Sequence, residues 1–223
     1  MVTEKLVDSY LSSGVTAFAG GDFQTAGKLF FAAYQKSKNY SKSDPRLAYV
    51  YANLAIFYYQ QKRYKKCENL LEQALQILIS ADQFMTPLCD NVRTQLANVY
   101  LLKQKHAELL SLYKDCLKRF QQAGNYQESS RLYDRIIELY GALGKFQQAE
   151  TWCKLAVAYD KKLVRENEPA AKKRLIRLAW IYSQQGRSQE ACQVYQKAIE
   201  NKGANQVETP FPQANVRTSY VAS

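Results

Sequence analysis

The chain is poor in residues that interrupt helices: nine glycines and five prolines in 223 residues. That scarcity argues against sandwiches and barrels, which need a turn residue every few positions, and favours a mostly helical protein. There is a single histidine, His106, and one imidazole does not make a metal centre. The five cysteines form no CxxC pair, which removes the common structural zinc sites. No P-loop GxxxxGK or dinucleotide-binding GxGxxG motif occurs. The carboxylates are scattered without a paired constellation, and no serine or cysteine is matched to the histidine. The sequence therefore predicts no catalytic site, no cofactor and no metal. No run approaches the ~18 consecutive apolar residues of a membrane span. The opening MVTEKLVDSYLSSGVTAFAG has no unbroken apolar core of a signal peptide. Unpaired cysteines and no export signal predict a reducing, cytoplasmic setting.

What is present is a large apolar fraction, 47%, enough for a packed core. Seventeen tyrosines add aromatic surface, and the formal net charge is +11. Such a charge favours acidic partners: acidic peptide segments, nucleic acid or an anionic surface.

The chain also repeats itself. SGVTAFAGGDFQTAGKLFFAAY (13–34) aligns with LAIFYYQQKRYKKCENLLEQAL (54–75) and LANVYLLKQKHAELLSLYKDCL (96–117). IIELYGALGKFQQAETWCKLAV (136–157) and LAWIYSQQGRSQEACQVYQKAI (178–199) complete the set. The starting points are 41, 42, 40 and 42 residues apart. A constant period near 40 is the mark of stacked helical repeats. Within a repeat, apolar residues recur at spacings of three and four on either side of a short turn, so each repeat reads as two helices. Pro45, Pro87 and Pro169 are placed to open first helices, with Asp44 and Thr86 as caps. Turns such as GGD (20–22) and LGK (143–145) end them.

The second helices share a packing code. One position is small in four repeats, at Ala26, Cys67, Ala149 and Ala191, with Leu109 the exception. A second small position follows seven residues later, at Ala33, Ala74, Cys116, Ala156 and Ala198. Between them sits a filler: Phe30, Leu71, Tyr113, Cys153 or Tyr195. Small residues allow close helix approach, so several cysteines serve as small apolar groups.

On these residues the chain resembles the tetratricopeptide repeat family over about residues 6–201. Gly14, Phe23, Ala26, Phe30 and Ala33 carry the match in the first repeat. Tyr58, Tyr64, Leu71 and Ala74 carry it in the second, and Tyr140, Gly144, Phe146, Ala149 and Ala156 in the fourth. His106 and Leu109 in the third repeat and Ser188 in the fifth depart from it. The long repeats are most like those of kinesin light chains. The resemblance implies an all-α fold, a right-handed superhelical α-solenoid of five helix-turn-helix repeats. Their boundaries fall at about 6–44, 45–86, 87–125, 126–166 and 167–201, and a polar stretch, 202–223, reads as a disordered tail.

In the family, first helices line a groove that binds extended peptides or a partner helix. By position, that groove here takes Leu11, Val15, Phe18, Tyr49, Asn53, Tyr59, Asn98 and Leu102 in the earlier repeats. Arg131, Arg135, Glu138, Lys173, Arg177 and Trp180 follow in the later ones. Asn53 and Asn98 have the donor and acceptor to pair with peptide backbone. Arg131 with Arg135, and Lys173 with Arg177, are i,i+4 cation pairs fit for carboxylates. Lys173, Arg177 and Asn98 are similar to the clamp that grips acidic chaperone tails. Arg135 and Thr94 stand where that clamp has asparagine and lysine, so the clamp is incomplete. Three readings stay open: a scaffold binding an acidic peptide, a nucleic-acid binder, and a structural subunit of a larger assembly of unknown oligomeric state.

Overall fold

The computed structural model describes residues 2–163 and 169–200, with side chains over 4–160 and 171–199. The expected tail, 202–223, lies outside the described residues. Among the described residues the chain is helical with no strand. The helices are α1 (Val2–Ala19), α2 (Phe23–Ser37), α3 (Pro45–Gln60), α4 (Tyr64–Ser80), α5 (Pro87–Leu102), α6 (His106–Gln122), α7 (Tyr126–Ala142), α8 (Phe146–Leu163), α9 (Pro169–Gln184) and α10 (Ser188–Glu200). Contacts divide the chain into two compact units, Met1–Leu109 and Leu110–Ser223. In the first, each helix from α1 to α5 packs on the next. In the second, α7, α8, α9 and α10 do the same. The predicted helix-turn-helix pairs α1/α2, α3/α4, α7/α8 and α9/α10 are the observed ones.

Local chemistry sets the helix starts. Pro45, Pro87 and Pro169 are first residues of their helices, where proline loses no hydrogen bond. Asp44 accepts the Arg46 N–H at 2.9 Å, and Thr86 accepts the Cys89 N–H at 3.3 Å. Asp22 and Asn125 cap α2 and α7 in the same way, at 3.0 and 3.2 Å. Each such cap contributes about 1 kcal/mol.

The helix-ending turns share one geometry. The N–H three residues past the end reaches back to a carbonyl in the last turn: Arg63 to Tyr58 at 2.9 Å, Lys105 to Tyr100 at 2.8 Å, Lys145 to Tyr140 at 2.9 Å and Arg187 to Tyr182 at 3.0 Å. This closure needs a left-handed residue just before the donor. Gly144 supplies it at φ 68°, whereas Lys62 and Gln104 adopt φ 57° and 55° with a side chain in place. Repetition of the fold, not the residue type, fixes these two turns.

The packing code operates inside each unit. Ala26, Phe30 and Ala33 of α2 are buried with Val7, Leu11, Val50 and Leu54 in one cluster. Cys67, Leu71 and Ala74 of α4 are fully buried, as are Ala149, Cys153 and Ala156 of α8. Burying a side chain the size of Leu71 contributes roughly 1.5–3 kcal/mol. Gly14 is part of the same fit, since a Cβ there would come within 2.6 Å of the Phe30 ring. Leu11 corrects the groove assignment: it is 3% exposed and belongs to this core.

Gln104→Gly is expected to raise stability by about 0.5–1 kcal/mol by removing left-handed strain, and Gly144→Ala to lower it by a similar amount. Urea unfolding of the two variants beside the parent checks both signs.

Candidate functional site

In the second unit, α7 and α9 lie side by side, joined by arginines. Arg174, only 1% exposed, donates to Asp160, to the Ala156 carbonyl at 3.0 Å and to the Ser130 carbonyl at 2.9 Å. It also donates to Ser130 Oγ at 2.5 Å and reaches Asp134 Oδ1 at 3.5 Å. A buried guanidinium is tolerated only with this kind of pairing. Arg177 donates to Asp134 Oδ1 at 3.0 Å and to Glu138 Oε1 at 2.8 Å. Its charge is therefore taken up inside the protein, and it fixes α9 against α7.

Arg131, Arg135 and Lys173 on these helices face outward. Arg131 is 63% exposed in its side chain and pairs with Glu128 one turn back at 2.7 Å. Arg135 and Lys173 are exposed and meet no carboxylate among the described residues. Trp180 is half-buried, packs edge-on against Phe146 at 5.9 Å and lies over Gly141. It closes the contact of α9 with α7 and α8.

The first unit carries the remaining candidates. Tyr49 and Asn98 are exposed. Tyr59 is half-buried, stacks edge-on with Tyr64 at 5.5 Å, and burial raises its phenol pKa. Asn53 is 7% exposed, and its Nδ2 donates to the Tyr49 carbonyl at 2.9 Å. As placed, Asn53 serves its own helix and does not present an amide outward.

A second charged device joins consecutive repeats. Glu68 of α4, nearly buried, accepts from Lys103 and Lys105 in the turn before α6. Glu150 of α8 accepts from Lys154 at 2.6 Å and from Arg187, in the turn before α10, at 2.7 Å. The two glutamates occupy the same place, directly after the small residues Cys67 and Ala149. Burial alone would raise the Glu68 carboxyl, but the hydrogen bonds and charges of Lys103 and Lys105 outweigh it and leave its pKa below the usual value. Glu150 is lowered in the same way, against its burial, by Lys154, Gln185 and Arg187. These clasps and Arg174 were not singled out from the sequence. A signal existed: Glu68 precedes Lys105, and Glu150 precedes Arg187, by the same 37 residues. Arg174 falls on the apolar stripe of Leu178 and Ile181, at i+4 and i+7.

His106 is half-buried, and its Nδ1 has no hydrogen-bond partner among the described residues. Four of the five free cysteines are buried, while Cys192 is exposed. Burial pushes the Cys67 and Cys153 thiols up to about 12. Among the described residues, no group of three or more His, Cys, Asp or Glu is arranged to hold a metal ion. No helix among them is long and apolar enough to cross a membrane.

Sequence models of the tetratricopeptide repeat match residues 47–80 and 128–203. No curated protein matches the chain in sequence. Among solved structures, it is similar to a candidate kinesin light chain of Podosopora anserina built from nearly identical TPR-like repeats. That similarity has a TM-score of 0.61 at 19% identity, over 87% of this chain and 94% of the other. BtubC (BKLC) from P. vanneervenii gives a TM-score of 0.57 at 21% identity, over 93% and 86%. The apo form of RapI gives 0.60 at 15%, over 87% and 69%. Identities this low speak to the fold alone.

The clasp has a pH signature. With its pKa depressed, Glu68 contributes stability that is present above its unfolded value and lost as pH falls through the folded one. Glu68→Gln is expected to cost about 1–3 kcal/mol near neutrality. The deficit should shrink as the pH falls below the ordinary glutamate range and the wild-type carboxyl becomes protonated. Urea unfolding at neutral and acid pH measures it, and equal deficits at both would contradict the assignment.

Proposed function

Since the chain belongs to the tetratricopeptide repeat family, we propose that it is a non-catalytic protein-interaction scaffold whose first-helix faces hold an extended acidic segment of a partner. The exposed cations of the α7/α9 face carry this reading. Arg131, Arg135 and Lys173 point outward on two helices that Arg174 and Arg177 lock together. A rigid pair of helices presenting several cations meets a carboxylate-rich segment with little loss of backbone freedom. Arg177 then acts as a positioning residue, since its two carboxylates set the spacing of the cations around it. The overall charge of +11 draws such a segment in from solution. In the first unit, taken by itself, the reading assigns Tyr49, Tyr59 and Asn98 to apolar and backbone contacts with a bound segment. Four buried free thiols suit a reducing compartment such as the cytoplasm.

The test uses a fluorescein-labelled glutamate-rich peptide and the triple variant Arg131→Ala, Arg135→Ala, Lys173→Ala. Affinity should fall about ten-fold or more relative to wild type, with helix content unchanged. Equal affinity would remove the α7/α9 face as the site. A labelled RNA that binds more tightly than the peptide, with a steep salt dependence, would move the function to nucleic acid.

A further inference from the structure

The clasp recurs, and at one place in the first unit half of it is missing. The residue directly after the small position is Glu68 in α4 and Glu150 in α8, but Gly27 in α2. The cation directly before the next second helix is kept in all three cases, as Lys105, Arg187 and Arg63. Each of these cations lies over the tyrosine five residues earlier: Lys105 over Tyr100 at 5.8 Å, Arg187 over Tyr182 at 4.2 Å and Arg63 over Tyr58 at 5.1 Å. Lys105 and Arg187 are completed by their buried glutamates. Arg63 has no carboxylate partner among the described residues, and Lys66 adds a second cation over the same Tyr58 ring at 5.4 Å.

The chain cannot supply the missing group from Gly27. A Cβ built there would lie 2.2 Å from the Phe57 ring, so the space beside the backbone is filled by an aromatic. What remains open is a groove between α2 and α3 of about 690 Å³, within the range of real ligand sites. Phe23, Phe31, Phe57 and Tyr58 make its apolar wall, with Lys28 and Arg63 also lining it. Phe23 and Phe31 are 47% and 48% exposed, an unusual cost for two phenylalanines on the same side of one helix. Lys28 acts on the Asp22 carboxylate only from beyond ion-pairing distance.

We propose that this groove docks a helical segment of a partner protein, one that carries a large apolar side chain and, a turn away, a glutamate or aspartate. The apolar side chain seats against Phe23, Phe31 and Phe57. The carboxylate takes the place beside Arg63 that Glu68 and Glu150 take beside Lys105 and Arg187. A helix is the fitting shape because a ridge of side chains packs into the furrow between two helices. Charge complementarity is local: the groove offers cations already held by a tyrosine ring and lacks only the anion. The site is separate from the α7/α9 face, and its occupancy does not depend on the function proposed for that face.

The probe is a fluorescein-labelled helix-forming peptide with phenylalanines at i and i+4 and glutamates one turn away, beside a twin with glutamine for glutamate. Anisotropy should show saturable binding of the first and about ten-fold weaker binding of the second. Arg63→Glu and Phe31→Ala should each weaken the first by about ten-fold or more. Lys5→Glu, the same charge change on α1, and the α7/α9 triple variant should leave it within about two-fold. Far-UV dichroism establishes that each variant is folded, and Arg63→Gln replaces Arg63→Glu if the latter loses helix. Absent binding, equal affinity for the twin peptides, or indifference to Arg63 would each overturn the proposal. A dimer of the free protein that Arg63→Glu dissolves would also overturn it, by giving the groove to a second copy.

Discussion

Close approach at the small positions of the second helices is the constraint on which the structure depends. Ala26, Cys67 and Ala149 have no exposed surface at all, and each lets a neighbouring helix come near enough for the filler beside it to be sealed. Interiors are packed like crystals, so a helix held at that distance has little freedom to tilt or slide. The side chain one residue further on is thereby delivered to a fixed place facing the next repeat. Whatever stands there decides what the junction does. A glutamate becomes a clasp with the cation of the next turn, as at Glu68 and Glu150. A glycine admits the Phe57 ring in its place and leaves a furrow alongside, as at Gly27.

This arrangement separates two uses of charge. Arg174 and Arg177 are spent internally, on Asp160, Asp134 and Glu138, and they hold α9 to α7. Arg131, Arg135 and Lys173 are left at the surface of the same two helices. Internal pairing fixes the helices that carry the surface cations, so their backbone loses little further freedom when a carboxylate arrives. Arg63 stands between the two cases. It lies over Tyr58, yet it has no carboxylate partner among the described residues.

The repeat, the helix pairs, the proline starts and the Asp44 and Thr86 caps were all legible in the sequence, because each depends on neighbours within a few positions or on a strict period. So were the small positions of the second helices. The fate of individual polar residues was less legible. Asn53 turns inward to its own helix, and Leu11 joins the core, because burial is set by the helix that packs opposite and not by spacing alone. Arg177 reads as a groove cation until its long side chain is seen to reach across to α7. Arg174 is hidden in a basic run, where only its register with Leu178 and Ile181 marks it as internal. The left-handed turns at Lys62 and Gln104 carry no glycine, so their geometry is inherited from the repeat.

The most direct test of this account is a double-mutant cycle on the second clasp. Urea unfolding of wild type, Glu150→Gln, Arg187→Gln and the double variant gives the coupling between the two side chains. The account predicts a coupling of about 1 kcal/mol or more, since the carboxylate is nearly buried and its partner is aligned on Tyr182. Strict additivity would mean that the repeats are joined by apolar packing alone, and that the cation left open at Arg63 has no special claim on a partner's carboxylate.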